Sequence, residues 1–305
     1  MNRDHHLGVI AAFAAGILWS FLGPAVRLCT DIGLSTVQMT WLRYITVVIV
    51  MASYVLIFRR ECLKVNRFEL LLMVVMAVVG VMLNSTLYFE SMLLVSLSLA
   101  TVLQYLSPFV VVAFSVPLFH ENLTRNKVIA VSMAFIGCIL CTGLISSPGE
   151  MDSLGITLGA ISGFCYGTYV LCSKRLAQNG ICSTTILFYT SIMCFIGLGP
   201  LCDAPDALSI MTESVESMLL IVLLGLFLTL APFWLFNYSL EKIEAGKASI
   251  ISFVEPLVAS IIGFSIYGEI LTVEAMIGMA MIMLALIIIN KIDDPEGSED
   301  PAGSE

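Results

Sequence analysis

Apolar residues along the chain fall into ten blocks of about twenty, near positions 7–28, 36–58, 68–89, 95–119, 124–145, 153–173, 183–202, 217–239, 247–267 and 272–290, with short polar connections between them. A hydrocarbon layer about 30 Å thick needs roughly 20 residues of helix to cross it, so each block is a candidate membrane span. The runs are too continuous for a β-barrel, whose strands would be about 10 residues of alternating character. Backbone groups that meet lipid must be satisfied within the segment, which makes these blocks helices. The fold class expected is therefore all-α integral membrane protein. The first block follows "MNRDHH" without a small-residue cleavage site and is read as a retained helix rather than a signal peptide.

Composition agrees with the pattern. Of 305 residues, 59% are hydrophobic and 12% charged, with a mean hydropathy of +0.99, against about 25% charged residues in an ordinary soluble domain. The net charge of −9 does not point to a basic partner such as nucleic acid, because six acidic residues sit in the tail "DDPEGSEDPAGSE". Residues 292–305 read as a solvated, disordered acidic tail. Basic residues favour cytoplasmic connections. With ten spans and a cytoplasmic N-terminus, Arg3, Arg59, Arg60, Lys64, Arg67, Arg125, Lys127, Lys174, Arg175, Lys242, Lys247 and Lys291 all fall inside. Glu150, Asp152, Asp203, Asp206, Glu213 and Glu216 fall outside, so both termini are expected in the cytoplasm.

The chain also repeats itself. "LGVIAAFAAGILWSFLGPAVRLCTDIG" from Leu7 aligns with "LGITLGAISGFCYGTYVLCSKRLAQNG" from Leu154, an offset of 147 residues, matching Gly16 to Gly163 and Trp19 to Tyr166. "ATVLQYLSPFVVVAFSVPLFHENLT" aligns with "ASIISFVEPLVASIIGFSIYGEILT" at an offset of 148, matching Pro108 to Pro256 and Glu121 to Glu269. The chain therefore divides into a first five-helix repeat, 1–146, a second, 153–291, and the tail. Five is odd, so the second repeat is expected upside down relative to the first, as in many secondary transporters.

These paired segments, each with a proline in mid-helix followed by "HENLT" or "GEILT", and "WLRYITVVIVM" from Trp41, resemble the repeats of the EamA family in the drug/metabolite transporter superfamily. The likeness extends over residues 7–290. It implies a membrane carrier, often an exporter of small metabolites such as amino acids, with a central cavity between the halves. It does not imply which substrate.

Small residues recur every fourth position in the first and sixth spans: Ala12, Gly16 and Ser20 against Gly159, Gly163 and Gly167. Such stripes let backbones approach closely, as tight packing or as a sliding contact during transport. Pro108 and Pro256 each remove a backbone donor and are expected to bend their helices. Two charges lie at membrane depth. Glu255, eight residues past Lys247 and so roughly 12 Å in, has Ser107 as its repeat counterpart. A charge there is costly and marks either a proton-coupling or substrate group, or a protonated carboxyl bonded to the carbonyl that Pro256 frees. Arg43 either attracts a carboxylate-bearing solute, pairs with Glu90, or extends to the interface.

Trp19, Asn84, Tyr88, Gln104, Tyr105, Tyr166, Trp234, Asn237 and Phe253 are candidate cavity-lining residues, a mostly apolar set with a few polar groups. No pair of basic residues lies in mid-membrane, which argues against a sugar-phosphate carrier. The nine cysteines show no zinc spacing, and His5, His6 and His120 form no cluster, so neither metal nor cofactor is expected. With no phosphate-binding glycine loop and no nucleophile–base set, the reading is a secondary transporter whose partners are lipid, a small solute and protons, and the resemblance implies the plasma membrane of a bacterium, its inner membrane. A passive channel or an intramembrane enzyme is the alternative.

Overall fold

The computed structural model describes residues 3–145, 152–267 and 272–291. The acidic tail, Glu150, Glu269 and the side chain of Arg27 lie outside the described residues.

Nine helices among the described residues are long and apolar enough to cross a bilayer. They are α1 (Arg3–Asp31), α2 (Thr36–Phe58), α3 (Arg67–Leu94), α4 (Ser98–Phe119), α6 (Ser153–Gln178), α7 (Ser183–Leu201), α8 (Val215–Lys242), α9 (Ala245–Ile266) and α10 (Val273–Asn290). The block expected as a fifth span, 124–145, forms the shorter 17-residue helix α5 (Arg125–Cys141). It ends early because the chain turns at Thr142, with Gly143 at φ +67°, a conformation glycine adopts without steric cost. A further short helix, Ala204–Glu213, connects α7 to α8.

Short polar residues set the starts of these helices. Ser35 and Gln38 form a reciprocal capping box at α2, and Asn66 and Glu69 form another at α3. Thr124, Asp152 and Ser214 accept from backbone N–H groups at the starts of α5, α6 and α8. Each cap satisfies donors that lipid could not.

Packing follows the repeat. The first helix of each repeat lies against the third and fourth helices of the other: α1 on α8 and α9, α6 on α3 and α4. Among the other contacts across the middle, α2 with α7, α4 with α9 and α5 with α10 exchange into themselves, and α2 with α8 exchanges with α7 with α3. Equivalent glycines make equivalent approaches. A Cβ on Gly8 would stand 2.7 Å from Lys242 Cβ, and one on Gly155 would stand 2.8 Å from Leu94 Cβ; Lys242 is the repeat counterpart of Leu94. At the α5–α10 crossing, a Cβ on Gly137 would come within 2.7 Å of the Gly278 carbonyl.

Four interruptions complete the symmetry. α4 breaks at Tyr105–Leu106 just ahead of Pro108, and α9 breaks at Ser252–Phe253 just ahead of Pro256. α3 widens to a π-helix over Met76–Leu83, and α8 does so over the corresponding Leu226–Leu230.

At one surface the α2–α3 connection of the first repeat meets the start of α7 in the second. Tyr189 Oη donates to the Leu63 carbonyl at 2.9 Å, and Cys62 Sγ lies 3.8 Å from Cys182 Sγ. Copper–phenanthroline oxidation is expected to join these thiols, read as an internally linked peptide pair in mass spectrometry and absent in Cys62→Ser. Gly163→Val, whose Cβ would sit 2.7 Å from the Leu103 carbonyl, should lose about 1–3 kcal/mol in thermal unfolding in detergent. Gly23→Ala, with nothing within 4 Å of its Cβ, should not.

Candidate functional site

The two interruptions bring the repeats together ring on ring. Tyr105, at the α4 break, stacks on Phe253, at the α9 break, with centroids 4.8 Å apart. Trp19 meets Tyr166 edge to face at 6.4 Å. Both are pairs of repeat counterparts. Around them Trp19 also touches Phe233 and Phe236, each at 5.4 Å, and Tyr166 stacks on Tyr169 at 6.0 Å. Neither phenylalanine is among the residues expected from the sequence, although both follow Pro232, three positions apart and so on one face of α8.

The glycine stripes make this approach possible. A Cβ on Gly16 would stand 3.6 Å from the Ser252 carbonyl, and one on Gly163 would stand 3.0 Å from the Gln104 carbonyl. Gly159 lies against Leu103 and Ser91, and Gly167 lies against Val110. Ala12 and Ser20 are buried on the same face of α1, where Ser20 Oγ donates to the Ile17 carbonyl at 2.6 Å.

Glu255 opens the second half of α9 beside the stacked pair and is half-buried. Its carboxyl lies within electrostatic reach of Tyr105, Tyr88, Tyr166 and Cys138, so groups from both repeats surround it. The carbonyl that Pro256 frees is that of Ser252, and it accepts the backbone N–H of Glu255 at 3.0 Å. No hydrogen bond from the Glu255 carboxyl to that carbonyl is found among the described residues. The Tyr105 hydroxyl and Asn84 Oδ1 are buried with no hydrogen-bond partner. Tyr88 Oη shares a hydrogen bond with Thr101 Oγ1 at 3.0 Å, and Gln104 is half-buried at the break.

Three expected residues lie elsewhere. Asn237 is fully buried in a closed network: its Oδ1 accepts from Tyr169 Oη at 3.1 Å and Ser173 Oγ at 2.6 Å, and its Nδ2 approaches Tyr169 Oη at 2.9 Å. Trp234 points away from the seam, 36% exposed, stacked on Tyr238 and donating to Thr184 Oγ1 at 3.3 Å. Arg43 is 7% exposed, its Nε without a hydrogen-bond partner, with Cys29, Tyr44 and Cys194 as its electrostatic neighbours. Glu90 is exposed and makes no ion pair with it among the described residues, so neither the Arg43–Glu90 pair nor an interfacial guanidinium is present.

Among the described residues no group of three or more His, Cys, Asp or Glu side chains is arranged to hold a metal. What the arrangement offers is a seam between two exchangeable halves, walled by rings, with one carboxyl and two unengaged polar groups.

The model of the EamA-like transporter family matches residues 6–143 and 153–291. An uncharacterized transporter of Archaeoglobus fulgidus is 31% identical over 191 residues, 63% of this chain and 66% of that protein. The chain's match thus spans just under two thirds of that relative's length. The uncharacterized inner membrane transporter YicL of Salmonella typhimurium is 24% identical over 93% of this chain and 95% of its own length. A solved crystal structure superposes with a TM-score of 0.75 at 18% identity, covering 92% of this chain and 95% of the other, which shows a shared fold.

Asn237→Ala should destabilise the protein by about 1–3 kcal/mol in thermal unfolding, because Tyr169 and Ser173 would lose a shared buried acceptor. Trp234→Ala, on the exposed flank, should leave any solute binding at the seam unchanged.

Proposed function

The chain belongs to the EamA-like transporter family, and we propose that it is a secondary carrier that exports small metabolites, such as amino acids or amphipathic compounds, by alternating access. One observation carries the reading: repeat counterparts touch one another, Trp19 on Tyr166 and Tyr105 on Phe253. Residues that exchange under the repeat can meet only near the axis that relates the halves. The seam is therefore where two inverted five-helix units would present one site to each side in turn.

Solute enters between the halves from the cytoplasm, where both termini and most basic connections lie. The units then rock about the glycine contacts of α1 and α6, and the solute leaves outside. Aromatic rings supply the apolar wall, while the Tyr105 hydroxyl and Asn84 Oδ1 supply hydrogen-bonding groups free to engage it. Glu255 carries the coupling proton. In apolar surroundings its ionised form is costly, so its protonation is tied to which side admits water.

The test is counterflow into liposomes preloaded with amino acids and small metabolites, read by mass spectrometry with and without a pH gradient. Exchange of one solute class, faster under the gradient, is expected. Glu255→Gln should retain exchange and lose the gradient's effect. Exchange indifferent to pH in the unaltered protein would make it an uncoupled facilitator, and no exchange of any solute would remove the carrier reading.

A further inference from the structure

At the end of the bundle that carries the N-terminus, the repeats are joined by charge rather than by rings. Lys127, in the first turn of α5 and only 4% exposed, lies 3.8 Å from Glu121 Oε2, pairs with Glu244, and donates to the Asn122 carbonyl at 3.0 Å. Glu121, also buried, accepts the backbone N–H groups of Ala245 at 2.7 Å and Gly246 at 3.2 Å, the first residues of α9. Gly246 permits this approach, since a Cβ there would stand 3.3 Å from the same carboxylate oxygen. The α4–α5 connection of the first repeat thus grips the α8–α9 connection of the second.

The surrounding groups tie the same place. Lys174, near the end of α6, donates to the carbonyls of Leu240 at 2.8 Å and Ile243 at 2.7 Å. Lys242 lies 3.5 Å from Asp4, and Lys247 Nζ lies 3.0 Å from His5 Nε2.

The repeat supplies an internal control for what this cluster does. The counterparts of Glu121, Lys127 and Glu244 at the opposite end are Glu269, Ala275 and Ser96. The lysine and one of its two carboxylates are absent there. Halves that otherwise exchange would open to either side at similar free energy. A buried lysine held by two carboxylates, at a position whose counterpart is Ala275, removes that equality, because opening that end separates the Lys127 ammonium from the Glu121 carboxylate, both buried, and from the half-exposed Glu244.

We propose that Glu121, Lys127 and Glu244 form a latch that closes the N-terminal end of the bundle and sets the balance between its two openings. The proposal rests on the carrier reading above, in which both ends must open. It predicts reciprocity: loosening this end draws the opposite end shut.

Hydrogen–deuterium exchange on the full-length protein in lipid nanodiscs tests it. Lys127→Met should speed exchange over residues 244–248 about tenfold and slow it over residues 96–100 at the opposite end, since amide protection reports the population of each opening. Lys127→Arg should restore the original pattern. Glu244→Gln, at the more exposed partner (41%), should act in the same direction and carries the test if Lys127→Met does not give a monodisperse protein. Faster exchange at 244–248 without slowing at 96–100 would mean a local clamp and overturn the proposal, as would no change at either place. The same preparations, moved to liposomes for counterflow, keep the two readings apart. Reciprocal exchange without solute flux leaves the latch standing and removes the carrier, whereas flux without reciprocity does the reverse.

Discussion

A helix in hydrocarbon that gives up its regular hydrogen bonding has to be covered by protein, and this bundle interrupts two helices at its centre. The breaks at Tyr105–Leu106 and Ser252–Phe253 each lie under a glycine-lined face of the opposite repeat, Gly163 and Gly16 respectively. Side chains at those glycines would collide with α4 or α9, so the stripes are read as partners of the breaks rather than as general lubricant. Once the breaks are covered in this way, Tyr105 and Phe253 have nowhere to point except at each other. The position of Glu255, two residues past one break, follows from the same constraint.

The skeleton is symmetric and its charges are not. Breaks, wide turns and glycine contacts recur in both repeats, because each is needed to pack one copy against the other. Glu255 stands opposite Ser107 and Lys127 opposite Ala275, so these two charges have no charged counterpart, whereas Glu121 has Glu269. On the carrier reading proposed above, a doubled scaffold would give a path between two shapes, and single charges would give that path a direction.

Much of this was legible in the sequence because hydrocarbon imposes long, simple patterns. Nine of the ten apolar blocks are helices of spanning length among the described residues, and the repeat offset matched Trp19 to Tyr166 and Tyr105 to Phe253 before their rings were seen to touch. Helix five was overestimated because Thr142 to Ile145 are compatible with a span, while Gly143 turns the chain out of it. Residue type alone makes Asn237 and Trp234 candidates for the cavity lining, but it cannot say which way a helix faces. Only the register against α6 and α7 tells that one is saturated by Tyr169 and Ser173 and that the other looks outward. Lys127 was legible as an orientation signal, but its carboxylate partners come from separate connections, and no local pattern links them.

The wide turns of α3 and α8 carry one consequence for how such a chain can change. A π-turn holds one surplus residue, and each residue advances a helix face by about 100°. Deleting one residue there would let the helix close into regular form and swing everything beyond it, Tyr88 and Phe89 in α3 or Phe233 and Phe236 in α8, onto a new bearing. Most mid-membrane helices cannot absorb a change in length without ruin. These two have a slack link, and through it a single deletion would retool the wall of the seam while leaving the helix starts capped by Asn66 and Ser214 where they are.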